Sequence, residues 1–499
     1  MIESISTAPN DNYLAALDIG SNSFHYVLAR FIDEKLQIVH SEKYRTQLAL
    51  GLNEDFQLSK DAIDRGVETL KAISQATQEI VPDNFKIVAT YTLRQAKNSD
   101  EFLKAASDVF PYDIEVVSGH EEARLIHQGV AFHHQSKENR LVVDIGGGST
   151  ECIIGHHHEI KKLDSLNMGC VSFQKAYFPN GEITRKAFKK AINAAELIID
   201  PIIHRFQKEG WKEVVGTSGT IKTVFLLINQ AREIPHPISL PELLALKDQL
   251  VDFADVNAID FIGLKDKRRA VICGGVAVLI ALFRSLEIRK LEYCQYALRE
   301  GVLFELLDSI QVKPVRERTI DSLVERFNID QIHSNRVIAL LEHWYKDIAK
   351  PWKVNKKVYK ELLFASAKVH EVGMNINTSS YQKHGYYTLF NADLAGFSVE
   401  QQQALALLVG SHRKKMMSFE EPSWHLLSSQ KLIKLCALLR MSVLLCQQRQ
   451  EPGIVDITVT DKSIMLNFKD DWLADRPLMA LELESEKALM HQYGINFTF

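Results

Sequence analysis

Paired cysteines, a long apolar stretch and the common nucleotide-binding signatures are all missing from this 499-residue chain. Its six cysteines (Cys152, Cys170, Cys273, Cys294, Cys436 and Cys446) are scattered and form no CxxC pair. That spacing argues against a disulfide framework or a zinc module, and for reduced, mostly buried thiols in an intracellular protein. The longest apolar run, 276–283, is far short of the roughly 20 residues that a membrane-spanning helix needs. The opening MIESISTAPNDN lacks the basic start and apolar core of a signal peptide. No GxxxxGK[ST] occurs and no GxGxxG follows a strand, which excludes the P-loop and dinucleotide-binding readings. A soluble, cytoplasmic protein is expected.

What is present is the composition of a globular chain, 46% hydrophobic and 24% charged, long enough for two to four domains. The net charge of −4 conceals an asymmetry. Lys and Arg outnumber Asp and Glu over residues 311–450, whereas the rest of the chain is acidic. A basic block on an acidic body suggests a surface that attracts a polyanion, although helical domains often carry lysines only as a solvated face.

Over the first 310 residues, short β-rich runs (13–19, 86–90, 114–117, 140–145 and 213–215) alternate with helical periodicity at about 59–79, 100–110, 120–130, 182–208 and 273–286. Alternation of this kind predicts an α/β fold. Within it lies an internal repeat: residues 16–29 read ALDIGSNSFHYVLA and residues 142–155 read VVDIGGGSTECIIG. In each, two apolar residues lead into Asp-Ile-Gly, a small polar turn follows and a second apolar strand departs. Two α/β units opening with one hairpin predict two lobes and a cleft between them. Beyond a basic, proline-containing linker at 312–318, helices are expected at 320–327, 334–348, 358–370, 399–409 and 430–448, and a small β-containing tail after 454.

The two turns carry the first chemical signal. Gly20-Ser21-Asn22-Ser23 and Gly146-Gly147-Gly148-Ser149 can each present backbone N–H groups and hydroxyls to one anion, since glycine admits the dihedrals and the close approach. Facing turns would clamp a chain of phosphates. A third candidate is Gly216-Thr217-Ser218-Gly219-Thr220, a strand-to-helix turn with N–H groups at a helix N-terminus; from it Gly216, Ser218 and Gly219 join the candidate phosphate contacts. Asp18 and Asp144 each close a first strand, where a carboxylate can hold Mg²⁺, and Glu151 on the departing strand is a further ligand candidate. Glu121 and Glu122 open a helix after the 114–117 strand and are candidate bases for activating water, although acids in a first helical turn are also ordinary complements of the helix dipole. Arg94, after the 86–90 strand, could neutralise charge on a phosphoryl group.

Seven segments in order, DIGSNSFH, TLRQA, SGHEEARLI, VVDIGGGSTE, NMGCVSF, GTSGT and ALREG, resemble the motifs of the exopolyphosphatase / guanosine pentaphosphate phosphohydrolase (Ppx/GppA) family, within the actin–Hsp70–sugar kinase superfold. The resemblance runs over nearly the whole chain. It implies an α/β fold of two actin-like, ribonuclease H-like lobes (1–125 and 126–311), then an all-α HD-like domain (312–452) and a small α+β C-terminal domain (453–499). It also selects Glu122 as catalytic carboxylate, with Glu121 as the nearby alternative, and Arg94 as a phosphate contact. Ser21, Asn22, Ser23, Gly146, Gly147, Gly148 and Ser149 then belong to the phosphate motifs, and Asp18, Asp144 and Glu151 to the metal motif. Mg²⁺ dependence and a homodimer are further implications.

The helical part resembles a degenerate HD domain, with His370-Glu371-Val372-Gly373-Met374 at the dyad position, where glutamate replaces aspartate and methionine the usual lysine. His384 and His412 look like later histidines of that pattern. These departures favour a structural role, with Arg413, Lys414 and Lys415 guiding a polyanion. Family members cut inorganic polyphosphate, guanosine pentaphosphate (pppGpp) or both. YFPNG, HEVGMNIN and SHRKKM look more like the long polyphosphatases, so processive exopolyphosphatase action is the expectation, with pppGpp 5′-phosphohydrolysis the alternative. A kinase of the same superfold and a non-catalytic polyphosphate or alarmone sensor rank lower. No nucleic acid partner is expected, and peripheral attachment to the inner membrane face through basic residues is left open.

Overall fold

The computed structural model describes residues 13–499 except 33–34, 78–83, 134–135, 137, 231, 233–234, 312–314, 393, 421–423, 451–454 and 470–471. The polar N-terminal dozen and the 452/453 boundary therefore lie outside the described residues. The chain divides into two compact units, Met1–Val312 and Lys313–Phe499.

The first unit contains two five-stranded sheets. One is built from β1 (Tyr13–Ile19), β2 (Phe24–Ile32), β3 (Lys35–Tyr44), β4 (Phe85–Ala89) and β5 (Ile114–Val116), in the order β3-β2-β1-β4-β5. The other uses β6 (Arg140–Ile145), β7 (Thr150–His156), β8 (Glu159–Leu166), β9 (Glu213–Thr217) and β10 (Glu292–Tyr293), in the order β10-β9-β6-β7-β8. β1 pairs antiparallel with β2 and parallel with β4, and β6 does the same with β7 and β9. The sequence repeat is thus a structural repeat. Its register sets Asp18 opposite His25 and Asp144 opposite Glu151, each pair beside its own turn.

Alternation along β1 sends Ala15, Leu17 and Ile19 into the first lobe's own core, and Leu14 and Ala16 into a second core on the other face. That second core is shared: it also takes Val142 and Ile153 from β6 and β7, and the helices Gly119–His133 and Leu298–Gln311. These two helices cross where only glycine fits. A Cβ on Gly301 would lie 1.8 Å from the Leu125 carbonyl oxygen, and one on Gly129 would lie 2.1 Å from that of Ala297. Gly301→Ala is expected to destabilise the fold by about 1–3 kcal/mol through overpacking, read as a lower urea midpoint. An unchanged midpoint would mean that the helices part without cost.

The apolar run at 276–283 sits in the helix Ile272–Ser285, buried throughout from Ile272 to Phe283. It is a core helix, apolar all round because it is covered all round. Among the described residues no helix is long and apolar enough to cross a membrane. All six cysteines are buried and unpaired. Three strands of the first unit escaped the sequence reading, β3, β8 and the two-residue β10. All three lie at sheet edges, where charged side chains can face water and period-2 alternation is lost.

The second unit packs the helices Val315–Arg326, Gln331–Ile348, Lys357–Val369, Tyr381–Asn391, Val399–Ser411 and Ser429–Cys446. A three-stranded sheet, β11 (Val455–Thr460), β12 (Ser463–Phe468) and β13 (Asn496–Thr498), and the helix Pro477–Gln492 complete it. One hydrophobic core runs through the helices and the terminal sheet. The indoles of Trp344 and Trp352 bind them together by donating to the carbonyls of Val455 (2.8 Å) and Thr460 (2.6 Å). The expected linker at 312–318 is corrected here. Residues 312–314 lie outside the described set, and Val315 onward is already helix. Arg316 is part of that helix, anchored to Glu361 at 2.8 Å and to the Gly396 carbonyl at 2.6 Å.

Candidate functional site

A cavity of about 1210 Å³ opens between the two sheets of the first unit. Of the residues singled out from the sequence, Asp18, Ser21, Asn22, Ser23, Glu122, Asp144, Gly146, Gly147, Ser149, Ser218 and Gly219 line it. Tertiary structure thus gathers residues from Asp18 to Gly219 around one cavity, those of the two turns because each hairpin presents its turn there.

The turns approach each other closely. A Cβ on Gly147 would fall 2.8 Å from the Ser21 Cβ, and one on Gly148 would fall 2.2 Å from the Tyr91 ring. The second turn is held from behind by the start of the helix Cys170–Tyr177. The N–H of Cys170 donates to the Gly146 carbonyl (3.0 Å) and that of Val171 to the Gly147 carbonyl (2.8 Å). In the first turn the Ser21 hydroxyl accepts from Thr92 at 2.9 Å. Ser218 starts the helix Ser218–Ile228 with φ 72°, and its hydroxyl donates to the Ile145 carbonyl at 2.9 Å, tying the third turn to β6.

Glu122 lies in the first turn of the helix Gly119–His133, which Ser118 anchors by accepting from the Glu121 N–H at 3.1 Å through its hydroxyl. Arg94, from the short helix Tyr91–Gln95, donates to Glu122 Oε2 at 3.0 Å and to the Val117 carbonyl at 2.9 Å. Burial pushes the Glu122 carboxyl up, and Arg94 opposes that shift. A carboxylate with raised proton affinity is suited to general-base chemistry.

Glu121 points elsewhere. Both of its oxygens accept from Arg124 at 2.8 Å, and Arg124 also contacts Glu305, which in turn pairs with Lys86 at 3.0 Å. Glu121 therefore fastens the helix rather than facing the cavity. Gly216 is likewise not among the lining residues. It is a member of β9, opposite Val143 of β6, and packs against Leu291 and Ile221, so its missing side chain serves sheet packing.

Asp18 and Asp144 are pushed up to about 7, first by burial and then by the charge of Glu122. Glu151 is raised well above the usual carboxylate range by the same causes, and its Oε1 accepts from Ser165 at 2.8 Å. Asp18 Oδ1 and Glu151 Oε2 are buried without a partner. An all-oxygen donor set of mutually repelling, partly unsatisfied carboxylates suits a hard divalent cation, and Mg²⁺ needs only one or two of them because it keeps several waters.

The sequence reading missed the cavity's cations. Lys43 on β3, Lys222, Lys267, Arg268 and Arg299 all line it. Arg299 donates to His25 Nε2 at 2.7 Å, and the lysine of Lys43 is pushed down to about 8 by burial and then by Arg268. For Arg299 a signal was available in the ALREG segment. For Lys43 there was none, since it sits on an edge strand with no legible pattern. Arg413, Lys414 and Lys415 belong to the second unit. Lys414 and Lys415 are exposed there, and the Arg413 guanidinium stacks over the Tyr381 ring at 4.7 Å.

Residues 27–310 match the family model described as Ppx/GppA phosphatase family, and residues 315–487 match that of Ppx/GppA phosphatase, domain III. The chain is 36% identical over 490 residues to the guanosine-5′-triphosphate,3′-diphosphate pyrophosphatase of Pseudoalteromonas translucida, covering 97% of this chain and 98% of that one. A protein of the same name from Vibrio cholerae is 35% identical over 485 residues, covering 97% of each chain. Among solved structures, the Ppx/GppA enzyme of Aquifex aeolicus superposes with a TM-score of 0.51 at 26% identity, covering 58% of this chain and 98% of that one. An exopolyphosphatase from Cytophaga hutchinsonii shares the fold, with a TM-score of 0.55 at 23% identity over 60% of this chain and 99% of that one. With two glycine-rich turns facing one cavity, a glutamate–arginine pair beside them and family matches over most of its length, the chain belongs to the Ppx/GppA phosphatase family and is a phosphoanhydride hydrolase.

Proposed function

We propose that this enzyme removes the 5′-terminal phosphate of pppGpp, giving ppGpp and orthophosphate. The observation that carries this reading is the near full-length match to two relatives named for that substrate, at 36% and 35% identity. The likeness to an exopolyphosphatase at 23% identity speaks to fold alone. The comparisons thus favour the second of the two substrates named from the sequence over polyphosphate. The cavity is consistent with a nucleotide, since Phe225, Leu226 and Ile262 add apolar wall to its cationic lining.

In the proposed reaction the turns at Ser21–Ser23 and Gly146–Ser149 hold the phosphate chain. Glu122 accepts a proton from a water molecule while the water oxygen attacks the terminal phosphorus. The bond from that phosphorus to the bridging oxygen breaks, and its electron pair leaves with the β-phosphate oxygen. Arg94 keeps Glu122 oriented and neutralises charge on the transferred group. Asp18, Asp144 and Glu151 would hold Mg²⁺, which when bound supplies charge neutralisation to the phosphate oxygens.

Orthophosphate release from pppGpp and from long-chain polyphosphate, compared as kcat/KM, tests the substrate. A higher value for pppGpp is expected, and the reverse would restore the polyphosphate reading, for which the exposed Lys414 and Lys415 offer a polyanion surface. Lys43 supplies a second check. Its depressed pKa of about 8 means that it is cationic below that pH and neutral above it. KM for the anionic substrate is therefore expected to rise as pH passes through about 8. Lys43→Gln should show a raised KM already at neutral pH and lose that pH dependence. An identical profile in the variant would remove Lys43 from substrate binding.

A further inference from the structure

The structure assigns a second metal site, for a divalent transition cation such as Zn²⁺ or Co²⁺, to His333, His370 and Glu371 in the C-terminal unit. One of the three residues comes from a helix and the other two from the turn that follows another. His333 lies in the first turn of the helix Gln331–Ile348, and His370 and Glu371 follow the helix Lys357–Val369. One ligand atom from each lies within 4.8 Å of the other two, and all three residues are buried. His333 Nε2 is 3.8 Å from Glu371 Oε1, and the two imidazole centroids are 5.3 Å apart.

Two further features point to a ligand. His370 Nδ1 donates to the Ala367 carbonyl at 2.7 Å, which fixes the tautomer and leaves Nε2 with a lone pair. That Nε2 is fully buried and has no hydrogen-bond partner, and His333 Nδ1 is also without one. A lone pair buried with nothing to accept is costly, and a cation would satisfy it. Two imidazole nitrogens and one carboxylate suit borderline-soft transition ions and not Mg²⁺, which selects oxygen.

A competing cation is already present. Arg449 donates to Glu371 Oε1 at 2.7 Å and to Oε2 at 3.2 Å. It also reaches Asp330 at 2.7 Å, and its side chain is 39% exposed. Leaving Glu371 therefore costs Arg449 only one of two carboxylate partners. Metal binding displaces the guanidinium toward Asp330, so occupancy of the site sets where Arg449 points. This departs from the purely structural role expected of the segment from its sequence, because His333 could not be placed beside His370 without the fold.

The test uses the full chain, stripped of metal by chelation and titrated with Co²⁺ under excess Mg²⁺, which occupies the oxygen donors of the cleft. One equivalent of Co²⁺ is expected to give the visible absorption of a low-coordinate site with nitrogen ligands. His370→Gln should weaken this by more than the roughly 10–100-fold that losing an outer-shell partner costs, and Asp144→Asn should leave it unchanged. Should His370→Gln fail to fold, His333→Gln carries the same prediction, with orthophosphate release from pppGpp or polyphosphate reporting a folded cleft. Arg449→Ala should bind Co²⁺ about tenfold more tightly, by removing a like charge at ion-pair distance. Absence of the absorption, or its persistence in a folded histidine variant, would overturn the site. Unchanged affinity in Arg449→Ala would overturn the competition. Absorption reads binding directly, so neither outcome depends on which phosphoanhydride the cleft cleaves.

Discussion

Glu122→Gln is expected to lower kcat by about 10²–10⁴-fold, the range that a positioned general base contributes. The glutamine is nearly isosteric, so it can still accept from Arg94, whose donor lies 3.0 Å from the carboxylate oxygen. What it cannot do is take a proton from water. KM should therefore change little and the melting temperature should hold or rise, because a buried carboxylate raised by desolvation is replaced by a neutral group. The measurement is steady-state orthophosphate release with circular dichroism of the same preparation. A kcat within twofold of the parent would demote Glu122 to a helix-start acid and leave the cleft without a base.

Arg94→Ala has the second large effect, an expected loss of about 10²–10³-fold in kcat/KM, comparable with removing one preorganised donor from a transition state. Its pH dependence carries more information than its size. Burial raises the Glu122 pKa and the Arg94 charge lowers it. Without Arg94 the carboxyl rises further, so the acid limb of the kcat/KM profile should move to higher pH. Arg94→Lys should restore most of the limb's position and only part of the rate, since an ammonium keeps the charge but not the planar guanidinium nitrogen that donates to both Val117 and Glu122. A rate loss with an unmoved limb would mean that Arg94 acts on the phosphate alone. A collapsed melting temperature would mean that its bond to the Val117 carbonyl had been structural.

Both predictions rest on a helix whose placement depends on tight contacts elsewhere. The Gly119–His133 helix crosses Leu298–Gln311 at Gly129 and Gly301, and Arg124, two residues beyond Glu122, binds Glu121 and Glu305. Glu121 and Glu122 are adjacent acids in one first turn, and their sequence context is almost the same. Successive residues on a helix point about 100° apart. One therefore meets the cleft and Arg94, while the other meets the arginine network behind it.

The sequence alone determined what is local or repeated. A strand that alternates faces, a turn that needs glycine and a hairpin used twice are written in neighbouring residues, so β1, β6, their turns and the α/β class were legible at 13–19, 140–145 and the Asp-Ile-Gly segments. The apolar run at 276–283 was legible as a buried helix rather than a membrane span because its length decides between them. Tertiary structure decided what depends on contacts between distant residues. It turned Glu121 away from the cleft, moved Gly216 into sheet packing, brought Lys43 and Arg299 into the cavity that the two turns line and set His333 beside His370. Those outcomes depend on which face of an element is covered and by what, and no short-range pattern records the far partner in a long-range contact.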